Sequence, residues 1–208
     1  AVDVRFQRTA AVADHFVQIR AGTDIAFLSG LINYALQNGR IHEEYVRLYT
    51  NAPFLVREGF AFDETTGLFS GWDPDKKQYD TSTWQYELDE QGFAKVDPTM
   101  QHPRCVFQLM KKFYARYTPE KVSEICGCSV EDFKKAAEII TSTYKPDRVG
   151  TMMYALGWTH HSFSVQLIKA AAMLQLLLGN VGMPGGGVNA LRGHANIQGG
   201  TDMGMAYH

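Results

Sequence analysis

Apolar residues recur at helical spacing in several stretches of this chain, and strand-like runs stand near its two ends. Ile25, Leu28, Leu31, Ile32, Ala35 and Leu36 share one helical face. Asp24 caps that helix after Gly22-Thr23, and Asn38-Gly39 stops it. A short helix follows over Glu43 to Tyr49. Val106, Leu109, Met110 and Phe113 make another apolar face, with Pro103 as its first-turn residue. Thr118-Pro119 begins the next helix. Ser129-Val-Glu-Asp132 has the form of a capping box, with Asp in place of Glu, ahead of Phe133, Ala137 and Ile140. The run from Ser162 to Leu178 is apolar on most faces, so it is expected to be a buried helix. Ala1-Val2 reads as the end of a buried strand with Asp3-Val4-Arg5 as its polar exit, and Val149 to Ala155 reads as a second strand. Since a domain rarely begins on the last residues of a strand, the chain is expected to be a segment of something longer.

Residues 50–102 show neither period. Turn signals stand at Thr66-Gly67, Asp73-Pro74 and Gln91-Gly92, among Phe60, Phe62, Phe69, Trp72, Tyr79, Trp84, Tyr86 and Phe93. Such aromatic content predicts an ordered arm, its tryptophans packed on the core or on a neighbouring subunit and away from any catalytic centre. Strand, polar turn and helix occur at both ends of the chain and no repeat is visible. The pattern therefore predicts an α/β fold with a helical and irregular aromatic-rich insert.

Composition changes this picture little. Of 208 residues, 45% are hydrophobic and 20% charged, enough for one large domain or two small ones. A net charge of −2 does not favour nucleic acid or an anionic membrane as partner. No direct membrane span is expected, because the most apolar run, Ala170 to Leu178, is interrupted by Gln175 and falls short of ~18 residues. The start, Ala1-Val-Asp-Val-Arg-Phe6, lacks the basic opening and apolar run of an export signal. Cys105, Cys126 and Cys128 have neither disulfide-framework nor zinc or iron–sulfur spacing, and are expected to be buried or half-buried thiols.

The richest chemistry lies between Gly182 and Gly200, where seven of nineteen residues are glycine and the rest include Asn189, Arg192, His194, Asn196 and Gln198. Such a backbone can approach a large polar ligand while amides, imidazole and guanidinium supply hydrogen bonds; the alternative is an ordered glycine-rich surface loop. Arg192 suits a carboxylate or phosphate. Ligands of open α/β sheets bind beyond the carboxyl ends of the strands, which here carry Asp3, Arg5 and Gln7, then Gly157-Trp-Thr-His-His161. Asp3 suits a ribose or purine edge, or simply a turn; Asp24 suits a ligand, or only its own helix. No Gly-x-Gly-x-x-Gly opens a helix, no His-Glu-x-x-His pattern supports zinc, and no Gly-x-Ser-x-Gly elbow supports a triad.

Val188-Asn-Ala-Leu-Arg-Gly-His-Ala-Asn-Ile-Gln-Gly199 resembles the segment around the active-site arginine of molybdopterin-dependent formate dehydrogenases. Asp3-Val-Arg-Phe-Gln-Arg-Thr-Ala10, Ala21-Gly-Thr-Asp24 and Tyr154-Ala-Leu-Gly-Trp-Thr-His-His161 resemble three further family motifs in order and spacing. Leu68-Phe-Ser-Gly-Trp72, Trp84-Gln-Tyr-Glu-Leu88 and His102-Pro-Arg-Cys105 are similar to the large catalytic subunit of the membrane-associated and periplasmic type. The likeness extends over essentially the whole chain. It departs at Val4, where the family usually has proline, which loosens the turn but keeps its backbone donors.

The resemblance implies a Rossmann-like, dinucleotide-cofactor-binding segment of the family's fold. Residues 1–50 would begin its α/β domain, 51–145 form the insert and helices, and 146–208 supply strand, buried helix and active-site loop. It implies molybdenum or tungsten between two molybdopterin guanine dinucleotides. Asp3, Arg5, Phe6, Gln7, Gly22, Thr23 and Asp24 match positions around a guanosine and its pyrophosphate. Leu156, Gly157, Trp158 and His160 match positions along a pterin, and Gly193 joins the cofactor-binding set. Arg192 matches the residue that orients formate, and His194 a second active-site position that completes the cradle or relays a proton. The family's 4Fe-4S segment and its selenocysteine or cysteine metal ligand would lie upstream, so the chain is expected to hold pocket walls and no metal ligand. The implied partners are the remainder of the catalytic subunit, an iron–sulfur electron-transfer subunit and formate, and the implied location is the periplasm. The rival readings are a non-catalytic nucleotide- or molybdopterin-binding module and another molybdopterin oxidoreductase.

Overall fold

The computed structural model describes residues 1–194 and 197–204, without the side chains of Gln198, Thr201 and Asp202. Asn196 and the Gln198 side chain, both singled out above, lie outside the described residues. The chain opens with β1 (Val2–Asp3), α1 (Arg8–Ala11) and β2 (Val17–Gln18), the two strands pairing in parallel. The helices α2 (Asp24–Gln37) and α3 (Glu43–Tyr49) follow. The insert contains an antiparallel pair, β3 (Trp72–Asp73) and β4 (Gln78–Tyr79). After it come α4 (Val106–Tyr114), α5 (Pro119–Cys126) and α6 (Val130–Thr141), then β5 (Thr151–Tyr154), the single turn α7 (Leu156–Thr159), α8 (Ser164–Leu177), β6 (Gly187–Ala190) and α9 (Ile197–Asp202). β5 and β6 pair in parallel, from Thr151 opposite Gly187 to Tyr154 opposite Ala190.

α2 is the axis of the core. It is buried from Ala26 to Asn33 and again at Ala35 and Leu36, with α4, α5, α6 and α8 packed around it. Gly30 permits the closest of these approaches: a Cβ there would stand 2.4 Å from Val122 Cγ2 and 2.9 Å from Phe133 Cζ. Leu167, Ala170, Ala171 and Leu174 of α8 close the other side. Local chemistry sets the helix ends. Thr118 Oγ1 accepts the Lys121 amide and Pro119 opens α5, which ends on Gly127 at φ +78°. At the end of α8, Gly179 takes φ +74°, its amide donating to Leu176 O and that of Asn180 to Gln175 O, the double bond of a Schellman turn.

Side-chain carboxylates order the insert. Asp63, Asp73, Asp80, Asp89 and Asp97 each accept a backbone amide two residues on, forming a series of Asx turns. Glu87 joins the arm's outer parts, at 2.7 Å from Lys95 Nζ and 2.8 Å from an Arg104 guanidinium nitrogen. Phe69 stacks on Phe113 of α4 with ring centroids 5.4 Å apart, so the arm meets the helical core through aromatic contact.

Several expectations are corrected. The first strand is Val2–Asp3, and Ala1 and Val2 are exposed, not buried. The N-cap of α2 is Thr23, with Asp24 as the first helical residue. Pro103 stands in a turn, and α4 begins at Val106 because Cys105 is bridged to Leu55 across the insert. Asp132 does not close a full capping box: Ser129 Oγ accepts its amide, but its carboxylate accepts the Ser129 hydroxyl at 2.7 Å, because the side chain is one methylene shorter than Glu. Trp72 and Trp84 pack on the insert's own rings, Tyr79 above all, and not directly on the core. The glycine-rich run is partly a strand, since Gly187–Ala190 is β6. The fold is mixed helix and strand, but the described strands form three separate pairs and not one open sheet.

Candidate functional site

The two parallel pairs send four turns out from their carboxyl ends, and those turns carry the residues with candidate chemistry. At the first, Asp3 Oδ1 accepts the Val4 amide at 2.6 Å and Oδ2 accepts Gln7 Nε2 at 3.1 Å. Gln7 Oε1 in turn accepts the Thr9 amide and caps α1. Asp3 and Gln7 thus shape the turn that displays Arg5 and Phe6. Arg5 is exposed, and Phe6 is exposed with its ring edge against Phe16.

The turn after β2 is anchored from behind. Arg20 donates to the Glu124 and Ile125 carbonyls at the end of α5, at 2.8 and 3.1 Å, and its amide donates to Cys126 O. Gly22 takes φ +81° with open space where a side chain would stand. Thr23 Oγ1 donates back to Arg20 O at 2.7 Å, and Asp24 follows, half-buried. The three thiols sit nearby or within the insert junction, all buried; desolvation raises each, Cys126 to about 11, so they are inert at neutral pH.

At β5 the chain turns into α7. Trp158 stacks on Tyr154 with centroids 5.0 Å apart and rings 20° from parallel. Its indole faces the Asp24 carboxylate closely enough to favour the charged form, and His161 and Asp3 also reach that carboxylate electrostatically. Burial pushes the Asp24 carboxyl upward and the Asp3 charge adds to this. Its own backbone amide, His161 and Trp158 pull the other way. The fold therefore brings Asp3, Asp24, Trp158 and His161 together. His161, stacked on Phe163, belongs to the polar run after the second strand but is not among the cofactor-binding positions that the resemblance implies; two adjacent histidines carry no signal of which one faces inward. His160 is exposed and ends α7 through its amide on Leu156 O. Leu156 and Gly157 are also exposed.

At β6, the Leu191 amide donates to Tyr154 O at 2.7 Å and extends the pair by one step. Arg192, Gly193 and His194 follow, all exposed, so Arg192 leaves the strand end adjacent to the Trp158 turn. Among the described residues neither Arg192 nor His194 has a hydrogen-bond or ion-pair partner. Gly193 has open space around it. The preceding glycines have structural duties: Gly182, Gly185 and Gly187 take φ of +86°, +81° and +96°, and a Cβ on Gly186 would stand 2.1 Å from Asn180 O. No group of three His, Cys, Asp or Glu side chains suited to a metal occurs among the described residues.

No protein-family profile matches the chain. Individual relatives do. It is 58% identical over 204 residues to the major subunit of the nitrate-inducible formate dehydrogenase of Escherichia coli, covering 98% of this chain and 20% of that protein. It is 51% identical over 207 residues to formate dehydrogenase subunit alpha of Megalodesulfovibrio gigas, covering 100% and 20%. The fold is shared with acetylene hydratase from Pelobacter acetylenicus at a TM-score of 0.53 and 19% identity, over 87% of this chain and 17% of that one. The chain thus spans about a fifth of the length of the curated relatives it matches. With identity above one half along nearly its whole length, the chain corresponds to an internal segment of formate dehydrogenase major, or alpha, subunits.

Proposed function

We propose that this chain forms part of a catalytic subunit that oxidises formate to carbon dioxide, a proton and two electrons. The reaction takes place at a molybdenum or tungsten centre carried by two molybdopterin guanine dinucleotides, and the electrons pass to iron–sulfur clusters. The observation that carries this reading is 58% identity to a formate dehydrogenase subunit along a chain that keeps Arg192 and His194 on the turn after β6.

The residues present suit such a cofactor. A half-buried Asp24 carboxyl beside an indole donor offers partners for a purine edge. The left-handed, open turn at Gly22 and the exposed Arg5 suit a pyrophosphate. Asp3, Arg5, Phe6, Gln7, Gly22, Thr23 and Asp24 would hold the guanosine and pyrophosphate; Leu156, Gly157, Trp158, His160 and Gly193 would lie along the pterin. The cofactor, when bound, supplies the two-electron acceptor. Arg192 holds the formate carboxylate by charge-assisted hydrogen bonds, each worth roughly 1.5–3 kcal/mol. His194 either completes that cradle or accepts the proton at an imidazole nitrogen. The metal's protein ligand and a 4Fe-4S cluster belong to the rest of the subunit, an iron–sulfur subunit takes the electrons, and the assembly works in the periplasm. Within that subunit the two parallel pairs belong to one doubly wound, Rossmann-like sheet, with residues 1–50 and 146–208 as its parts and 51–145 as the insert.

The test is formate-driven reduction of a viologen dye by the intact subunit, with carbon dioxide formed in step. Turnover at full metal and guanine-nucleotide content supports the reading. A subunit loaded with both that neither reduces dye nor exchanges labelled carbon dioxide into formate is a binding module.

A further inference from the structure

A buried polar network lies beneath β5 and β6, at the end opposite the candidate site. Asn180 and Gln175 are each within 2% of complete burial. Asn180 Oδ1 accepts the Gly150 amide at 3.1 Å, and its Nδ2 donates to Gln175 Oε1 at 2.5 Å and to Thr143 Oγ1 at 3.0 Å. Gln175 Nε2 donates to Gly187 O at 3.2 Å, an oxygen that also accepts Thr151 Oγ1 at 3.2 Å. Thr151 Oγ1 is itself a partner of Asn189 Nδ2. The network therefore grips the residue before β5 and the first residue of β6, where Thr151 opposes Gly187.

Besides this network, only Met152 and Val188, packed against the core, mark the register among the described residues of these strands. A four-residue parallel ladder of Thr-Met-Met-Tyr against Gly-Val-Asn-Ala carries a weak hydrophobic pattern, and a slip of one residue turns every side chain to the opposite face. Arg192 lies two residues beyond β6, so such a slip would carry it away from the Trp158 turn. Buried polar groups stabilise little in net terms but define one arrangement when every partner is satisfied.

We propose that Gln175 and Asn180 are positioning residues, holding β5 and β6 in register and thereby placing Arg192 for substrate; this rests on the function proposed above. In the intact enzyme, Gln175→Met keeps length and volume but removes the donor to Gly187 O and the acceptor for Asn180. KM for formate is expected to rise about 10- to 100-fold at unchanged metal and guanine-nucleotide content, as misplacement of a binding group does. Amides of Val188 to Leu191 should exchange faster with deuterium. Gln175→Glu supplies the conservative arm. Its neutral acid can donate to Gly187 O as the amide does, whereas its ionised form sets charge against that oxygen. A buried glutamate has a raised pKa, so this variant should match wild type near about pH 6 and approach the Met variant above about pH 8.

Simple loss of stability would lower the active fraction at unchanged KM, with no such pH dependence. The proposal is overturned if KM is unchanged in both variants, if KM rises without faster exchange in β6, or if exchange rises while KM does not. Should Gln175→Met fail to assemble, the Glu variant across the pH range decides. If the wild-type enzyme does not oxidise formate, the functional reading fails by itself, and the exchange arm still shows whether the network holds the strands.

Discussion

Arg192 is exposed on a turn that extends directly from a hydrogen-bonded strand, with no partner among the described residues to neutralise it. A guanidinium so placed offers a planar two-pronged donor to an incoming carboxylate. Lysine keeps the charge and loses the fork. Arg192→Lys in the intact subunit should lower kcat/KM for formate by roughly 30- to 1,000-fold, a loss of about 2–4 kcal/mol in transition-state stabilisation. Metal and guanine-nucleotide content should stay constant, because the cofactor is assigned to other residues. Near-normal turnover in a metal-replete variant would make Arg192 a scaffold residue. The same scale explains why His161 and not His160 meets Asp24: the single turn α7 ends at His160, and the next residue swings inward to stack on Phe163.

Among the elements, α2 is the most constrained. It is buried on nearly every side, and Gly30 lets α5 and α6 come close enough for Val122 and Phe133 to fill the space above its backbone. Neither neighbour can yield cheaply, since both are fully buried. Gly30→Ala gains about 1 kcal/mol of helix propensity but overpacks this contact, which costs about 1–3 kcal/mol. The net effect should be destabilising. It should appear as faster amide exchange in α2 and α5 and as a lower denaturant midpoint of the intact subunit. An equal or higher midpoint would show that the helices can separate without penalty.

For the whole molecule, the insert and the helical core differ in what holds them. The core rests on apolar burial, which acidification leaves alone. The insert rests on carboxylates that accept backbone amides, and these bonds hold Asp63, Asp73 and Asp80 below the usual carboxylate range; the Thr99 hydroxyl, joined by the His102, Thr99 and Gln101 amides, holds Asp97 at about 2, and donors from Lys95 and Arg104 lower Glu87. Each depressed carboxyl contributes stability that is present above its unfolded value, 3.8 for Asp, and disappears as pH falls through the lower folded one. Hydrogen exchange measured down to about pH 2 should therefore show the Asx-turn amides, such as Thr65, Ser82 and Thr99, losing protection before those of α2 and α8. Simultaneous loss in both regions would mean that the arm and the core unfold as one unit.

Sequence alone determined the helices whose apolar period and end signals agree. α2, α3, α5 and α8 stand within a residue or two of their expected places, because burial of a helical stripe and capping by Thr118 or Gly179 are local to a few turns of chain. It also carried the resemblance to formate dehydrogenase subunits, since four motifs in register carry more information than any one side chain. The tertiary structure alone decided what depends on partners distant in the chain. β6 is invisible in Gly-Val-Asn-Ala because its strand state comes from β5, which lies more than thirty residues away, and from Gln175 beneath it. The start of α4 moved because Cys105 is claimed by Leu55. The glycines of the 182–187 run proved to serve left-handed turns and a close approach to Asn180, a need that a list of residues cannot state. The grouping of Asp3, Asp24, Trp158 and His161 likewise required two strand pairs and a helix end to meet, and such a meeting is encoded only in the packing of the fold.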